Sequence, residues 1–332
     1  MAVPADFFKK GRMFMKLSCI LPCYREEANV LPVCEELSAA LNANGVSHEL
    51  IFINDGSPDG TLAQLKKLAA AYPTVRVINF SRNFGKEAAI LAGLNAAKGD
   101  YITLIDADMQ QPPATVMEMV AMLDADAEVD CVAAYQKTRR ESGLLVFFKK
   151  MFYKLINRMT EVDLVPDASD FRTFRRNVLG ALLQMTEYHR FSKGIFPWIG
   201  FETAYIPYEV RARNAGKTSF SFWKLFKYAM EGIVAFTTAP LKLAIGVGLT
   251  TSLLSVIYLI VVVLQRLISN IAPPGYATTV VLILLMGGLN LFFLGIIGEY
   301  LARTYIQSKN RPIYIIKEEF GGENNEKEGI ES

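Results

Sequence analysis

Residues 101–113 read YITLIDADMQQPP, and the fold turns on how this stretch is parsed. YITLI is uncharged and rich in β-branched and aromatic residues, as a strand buried on both faces is. It ends abruptly in Asp106-Ala107-Asp108, followed by two glutamines and a Pro-Pro pair. A buried strand that stops in two carboxylates one residue apart delivers acidic oxygens to a sheet edge. Such oxygens suit a hard divalent cation, Mg²⁺ or Mn²⁺, which completes its shell with substrate phosphates. Gln110 offers a further neutral oxygen. Asp-x-Asp alone is a common solvated-loop pattern, and only its place behind a buried strand makes it informative.

The same strand-then-helix unit repeats on both sides of this stretch. Apolar runs at 16–21, 49–54, 75–80, 101–106 and 131–134 read as strands. Helical spacing predicts helices over 26–42 (Val30, Val33, Leu37, Leu41), 61–72, 86–97 and 114–124. Regular alternation predicts an α/β fold with a mostly parallel sheet and helices on both faces. Ligands of such sheets bind at the carboxyl ends of the strands. Three strands end in polar clusters: Pro22-Cys23-Tyr24-Arg25-Glu26, Asn54-Asp55-Gly56-Ser57 and Asp106-Ala107-Asp108. No GxGxxG follows the first strand, which disfavours a dinucleotide-binding domain.

Hydrophobic residues make up 52% of the 332-residue chain, and they are unevenly spread. Residues 16–238 mix charged and apolar segments as a globular domain does, whereas 241–301 are nearly devoid of charge. Within the latter, 243–265 and 277–298 are each long enough to cross the ~30 Å hydrocarbon layer as a helix. Lys242 precedes the first run, Arg303, Lys309 and Arg311 follow the second, and only Arg266 lies between them. That bias predicts a hairpin with both ends on the cytoplasmic side of the inner membrane. Glu299 and Arg303 are spaced to pair along one helix. The acidic stretch after Lys317, within a cytoplasmic tail at 302–332, reads as disordered.

A net charge of +2 gives no reason to expect nucleic acid as a partner. Cys19, Cys23, Cys34 and Cys131 form no CxxC pair and read as reduced thiols. The extension at 1–15 lacks the apolar core of a secretory signal, which leaves the first domain in the cytoplasm. Segments 144–159 and 220–236 combine large aromatics with lysines and arginines, the pattern of amphipathic helices lying at a bilayer surface.

PCYREEANV, NDGSPDGT, FSRNFGKEAAILAGLNAAKGDY and DADMQQPP resemble the successive motifs of glycosyltransferase family 2, whose fold is GT-A. With two apolar runs after them, the chain is similar to the polyprenyl-phosphate branch of that family, the dolichol-phosphate-mannose synthase and bactoprenol glucosyltransferase type. The resemblance covers roughly residues 15–318. It implies inverting transfer of a sugar from a UDP-sugar to polyprenyl (undecaprenyl) phosphate at the membrane, for cell-envelope glycan modification, and leaves a homo-oligomer open. It further implies that Pro22, Tyr24, Glu26, Asp55, Lys86, Asp106 and Ala107 bind the nucleotide sugar. The metal ligands it implies are Asp106, Asp108 and Gln110. Relatives commonly carry Asp or His where this chain has Gln111, so no ligand role carries over to that position.

DASDFRTFRR matches the acceptor-side motif through Asp170 and Arg172, which join Asp108 as the implied catalytic residues. HRFSKGIFPWIGF and RARNAGKTSF match through Arg190, Lys193, Arg211, Arg213 and Lys217, an implied acceptor-phosphate set. Phe171, Phe174, Trp198 and Phe201 read as core. A sugar hydroxyl needs a general base to attack, whereas a phosphate is already anionic at neutral pH. For a phosphate acceptor, Asp170 is therefore expected to orient cationic groups rather than to take a proton.

Two rival readings stand beside this one. One is a family 2 enzyme acting on a lipid or polysaccharide hydroxyl; the other is a catalytically silent membrane scaffold, which the intact Asp106/Asp108 pair disfavours. A processive polysaccharide synthase is disfavoured by two spans and the lack of QxxRW.

Overall fold

The computed structural model describes residues 17–137, 168–211, 237–269 and 275–322. The chain divides into an α/β unit, which also takes in residues 312–322, and a helical unit holding the two long apolar helices.

In the α/β unit, β1 (Leu17–Cys23), β2 (His48–Asn54), β3 (Val75–Phe80) and β4 (Tyr101–Leu104) form the parallel centre of the sheet. They alternate with α1 (Val30–Ala43), α2 (Thr61–Ala71), α3 (Lys86–Ala96) and α4 (Pro113–Ala125). β5 (Cys131–Gln136), β6 (Ala168–Arg175), β7 (Thr203–Tyr208) and β8 (Ile316–Gly321) complete the order β7-β5-β6-β4-β1-β2-β3-β8. The short helices α5 (Arg176–Gln184) and α6 (Ser192–Trp198) lie between β6 and β7. Every residue of β2 and β4 is buried, which is why these strands read as apolar runs without alternation.

From β1 the sheet grows through β2 and β3 in one direction and from β4 in the other. The crevice between the carboxyl ends of β1 and β4 is therefore a topological switch point, where open α/β sheets bind ligands. α3 covers β1 closely. A Cβ on Gly93 would lie 2.2 Å from Ile20 Cγ2, so only glycine permits this approach. The close seat fixes the start of α3 beside the switch point.

β6 joins β4 and β5 antiparallel to both, and β8 joins β3 antiparallel. The sheet is thus mostly, not wholly, parallel. β8 corrects the expectation of disorder after Lys317 for residues 318–322, and the remainder of that stretch lies outside the described residues. Ser81 N–H donates to the Ile315 carbonyl at 3.0 Å, Tyr314 stacks on Phe80 with ring centroids 5.1 Å apart, and Asn79 donates to Glu318 at 2.8 Å. Composition misled because the acidic groups here are paired: Glu318 with Lys66 and Glu319 with Arg76.

Two boundaries also differ from expectation. α1 starts at Val30, not at residue 26, because the Glu26 carbonyl accepts from Asn29 and Val30 N–H to make a turn. β4 ends at Leu104, because the Asp106 N–H leaves the ladder and donates to Gln111 Oε1 at 2.8 Å.

The helical unit contains α7 (Ala239–Ser269) and α8 (Tyr276–Ser308). At 1.5 Å per residue each is roughly 46–50 Å long, more than the ~30 Å of a hydrocarbon core. Their apolar stretches of 26 and 30 residues are exposed, which makes them candidate spans rather than core helices. Glu299 and Arg303 do pair, at 3.1 Å. The amphipathic segments expected at 144–159 and 220–236 lie outside the described residues.

Candidate active site

The first wall of the switch-point crevice is the loop after β1. Tyr24 is exposed, and Arg25 adopts φ 60°, a left-handed conformation that non-glycine residues rarely hold. Arg25 N–H donates to Ser57 Oγ at 3.1 Å and Glu26 N–H to Thr61 Oγ1 at 2.9 Å. These bonds tie the loop after β1 to the loop after β2. Pro22 is the β1 residue paired with Ile53 of β2, just inside that loop.

Asp55 stands at the end of β2 and is buried. Its Oδ1 accepts from Phe84 N–H at 2.6 Å and its Oδ2 from Gly85 N–H at 2.9 Å. Burial raises its carboxyl above the usual range, opposed by these two bonds. Asp55 thereby holds the loop that leads directly into Lys86. Gly56, at φ +60°, makes this possible, since a Cβ there would stand 2.4 Å from the backbone carbon of Arg82.

Lys86, the first residue of α3, joins the two sides of the crevice. Its Nζ lies 2.6 Å from Asp106 Oδ1 and 3.1 Å from Asp170 Oδ2. The Lys86 side chain is 44% exposed and that of Asp170 18%, so the carboxylate is the deeper partner of the pair. Burial disfavours the charge on Lys86, but Asp106 and Asp170 outweigh it and keep the amine protonated. Burial likewise pushes the Asp170 carboxyl up, while Lys86, Lys193 and Arg172 together bring it below the ordinary carboxylate range.

Asp106 is gripped by Gln111, which accepts from its N–H and donates to its Oδ2 at 3.2 Å. Next to it, Ala107 is buried in the core. Asp108 Oδ1 accepts from Gln110 N–H at 3.2 Å across Met109, whose φ of 64° makes the bend after which Gln111 reaches back to Asp106. Among the described residues there is no group of three or more His, Cys, Asp or Glu able to hold a metal. Asp106, Asp108 and the Gln110 amide are all hard oxygen donors, and their chemistry fits a Mg²⁺ or Mn²⁺ that draws its other ligands from water or a diphosphate.

The residues expected on the acceptor side are spread more widely. Arg172 is buried, with Nη2 on the Ser169 carbonyl at 3.0 Å and its guanidinium 3.9 Å from the Phe196 ring centroid. Arg190 is buried as well and donates to the Met185 carbonyl at 2.5 Å. Arg211 pairs with Glu36 of α1, and its N–H donates to the Gln110 carbonyl at 3.1 Å. Of these, Lys193 and Arg172 bear by charge on Asp170. Arg213 and Lys217 lie outside the described residues. Phe171 and Phe174 are core as expected, but Trp198 is 52% exposed, because it ends α6 and faces away from the sheet. Phe201 is half-buried.

Two site residues went unrecognised in the sequence. Gln111 stood out only as a departure, and Glu87 carries no spacing signal because its partner, Ser192, is 105 residues away. The cysteines are free and buried, and burial pushes the Cys34 thiol up to about 11, which makes it a poor nucleophile.

A crevice at a switch point, paired acids after β4 and a hairpin of apolar helices define a membrane-associated glycosyltransferase with a GT-A fold. Comparison with known proteins agrees. The glycosyl transferase family 2 model matches residues 18–183, and the GtrB C-terminal hairpin model matches 239–304. A putative glycosyltransferase, CsbB, of Bacillus subtilis is 42% identical over 91% of this chain and 91% of its own length. The prophage bactoprenol glucosyl transferase homolog of Escherichia coli is 37% identical over 91% of this chain and 99% of its own. The bactoprenol glucosyl transferase of Shigella phage SfV is 36% identical over 92% and 99%. The chain belongs to glycosyltransferase family 2.

Proposed function

We propose that this enzyme transfers a sugar from a UDP-sugar to polyprenyl phosphate, with inversion, at the cytoplasmic face of the membrane. The observation that carries the reading is Lys86 joined to Asp106 and Asp170, one acid from the donor side and one from the acceptor side. In a single displacement, an acceptor phosphate oxygen bonds to the anomeric carbon as the bond to UDP breaks. UDP leaves with the electron pair, and no proton need be removed. Asp106, Asp108 and Gln110 would hold a divalent cation, which when bound offsets the charge on the departing diphosphate. Tyr24, Glu26 and the Asp55-supported loop line the nucleotide side. Lys86 and Lys193 supply positive charge where the two anionic substrates meet.

The acceptor is supported by the names of the relatives and by the hairpin. Because β8 pairs with β3 in one sheet, the chain between β7 and β8 must cross a membrane an even number of times. Two spans with both ends on the catalytic side satisfy this.

One observation favours a hydroxyl acceptor instead: Asp170 Oδ1 is buried without a hydrogen-bond partner among the described residues, as a waiting base is. Against it, the pairing with Lys86 holds the carboxyl low and weakens it as a base. Incubating membranes with a panel of UDP-sugars and undecaprenyl phosphate, and weighing the lipid product by mass spectrometry, tests the proposal. One sugar added to the lipid phosphate is expected. No lipid product with any UDP-sugar would overturn it.

A further inference from the structure

Glu87 lies in the first turn of α3 and spends both carboxylate oxygens on one distant residue. Its Oε1 accepts from Ser192 N–H at 3.0 Å and its Oε2 from Ser192 Oγ at 2.5 Å. A two-point, charge-assisted grip fixes orientation as well as distance. Each partner is the immediate neighbour of a lysine: Glu87 follows Lys86, and Ser192 precedes Lys193. Lys86 is ion-paired with Asp170, and the charge of Lys193 also bears on Asp170.

α6 has only seven residues and cannot hold its own conformation, so its position depends on tertiary anchors. Its later part is packed by Phe196, edge-on to Phe174 with centroids 5.3 Å apart. Its first residue is held by Glu87. The second anchor is the one next to Lys193, so its loss loosens that lysine while Phe196 keeps the helix attached.

We propose that Glu87 is a positioning residue, whose grip on Ser192 sets the spacing of Lys86 and Lys193 about Asp170 and so shapes the seat for the acceptor's phosphate. The assignment of that seat to the acceptor rests on the function proposed above. A half-buried acid that feels the charge of Asp170 is electrostatically costly, which packing alone does not require. The geometry that the grip maintains accounts for it.

The experiment separates tether from charge in the full-length enzyme. Glu87→Gln keeps a group able to bond Ser192 at both points and removes the charge. Glu87→Asp keeps the charge and falls short of Ser192. With undecaprenyl phosphate and the UDP-sugar that the panel identifies, Glu87→Asp is expected to raise the acceptor KM by about 10-fold or more. Glu87→Gln should stay within about 3-fold of the parent, and UDP release to water without acceptor should change little in either. Hydrogen exchange of the 192–196 amides should quicken in Glu87→Asp and not in Glu87→Gln. Equal effects of the two variants on acceptor KM, or the reverse order, would overturn the tether and point to a charge or general folding role. If the parent transfers nothing to the lipid from any UDP-sugar, the acceptor reading fails by itself, and the exchange contrast still decides whether Glu87 holds Lys193's helix.

Discussion

At Asp170 the choice between base and orienting group is a matter of charge. A carboxylate that accepts an ammonium at 3.1 Å is stabilised as the anion and is a weaker base. Asp170→Asn is expected to retain transfer within about 10-fold of the parent, because an amide still bonds Lys86. Asp106→Ala should lose about 10²-fold or more, since it removes both the implied metal ligand and the other half of the Lys86 pair. Steady-state transfer assays on the two variants check this, and equally deep losses would restore the base. The pH behaviour follows from the direction of the shift. The folded Asp170 carboxyl lies below its unfolded value of about 3.9, so the stability it contributes is present above that value and is lost as pH falls through the folded one. The rate profile should therefore show no inflection from Asp170 between about pH 5 and 8, where a raised catalytic base would titrate.

The elements around the site differ in how openly they declared themselves. Strands β1 to β4 were legible because burial on both faces leaves their centres mostly apolar, and α2 because Leu65 and Leu68 keep helical spacing on its one buried face. β6 was hidden, since ASDFRTFR carries three charges: Asp170 is paired with Lys86, Arg172 is buried, and Arg175 donates to the carbonyls of Leu123, Asp126 and Val129. Gln111 was visible only as a departure, because its two bonds to Asp106 depend on the bend at Met109, which no local pattern announces. The seat of α3 yields a test at this scale. Gly93→Val should destabilise the α/β unit by about 1–3 kcal/mol or more, because its side chain meets Ile20 and Ile53 across a contact with no slack. Denaturant unfolding measures it. Gly56→Ala should act on the site as well, raising the KM for the UDP-sugar by forcing the Arg82–Asn83 backbone away and with it the amides that Asp55 holds.

For the whole molecule, β8 means that the chain leaves the sheet after β7, passes through the apolar hairpin and returns to the opposite edge. The composition of the tail concealed this, since an acidic run looks solvated until its basic partners on α2 and β3 are in place. Tyr314→Ala is expected to lower stability by about 1–2 kcal/mol through loss of its stack on Phe80 and its bond to Asn95. Thermal unfolding of the detergent-solubilised enzyme reads this out; an unchanged midpoint would mean that the Tyr314 contacts add nothing to the seating of β8. The hairpin and the crevice together make a lipid-linked anion the acceptor this chain suits best.

That claim is tested most directly by offering the enzyme undecaprenyl phosphate and undecaprenol in parallel, with the UDP-sugar it uses, and weighing the lipid products. Sugar added to the phosphate and not to the alcohol, by the parent and by Asp170→Asn alike, is the predicted result. Transfer to the alcohol that disappears in Asp170→Asn would contradict it.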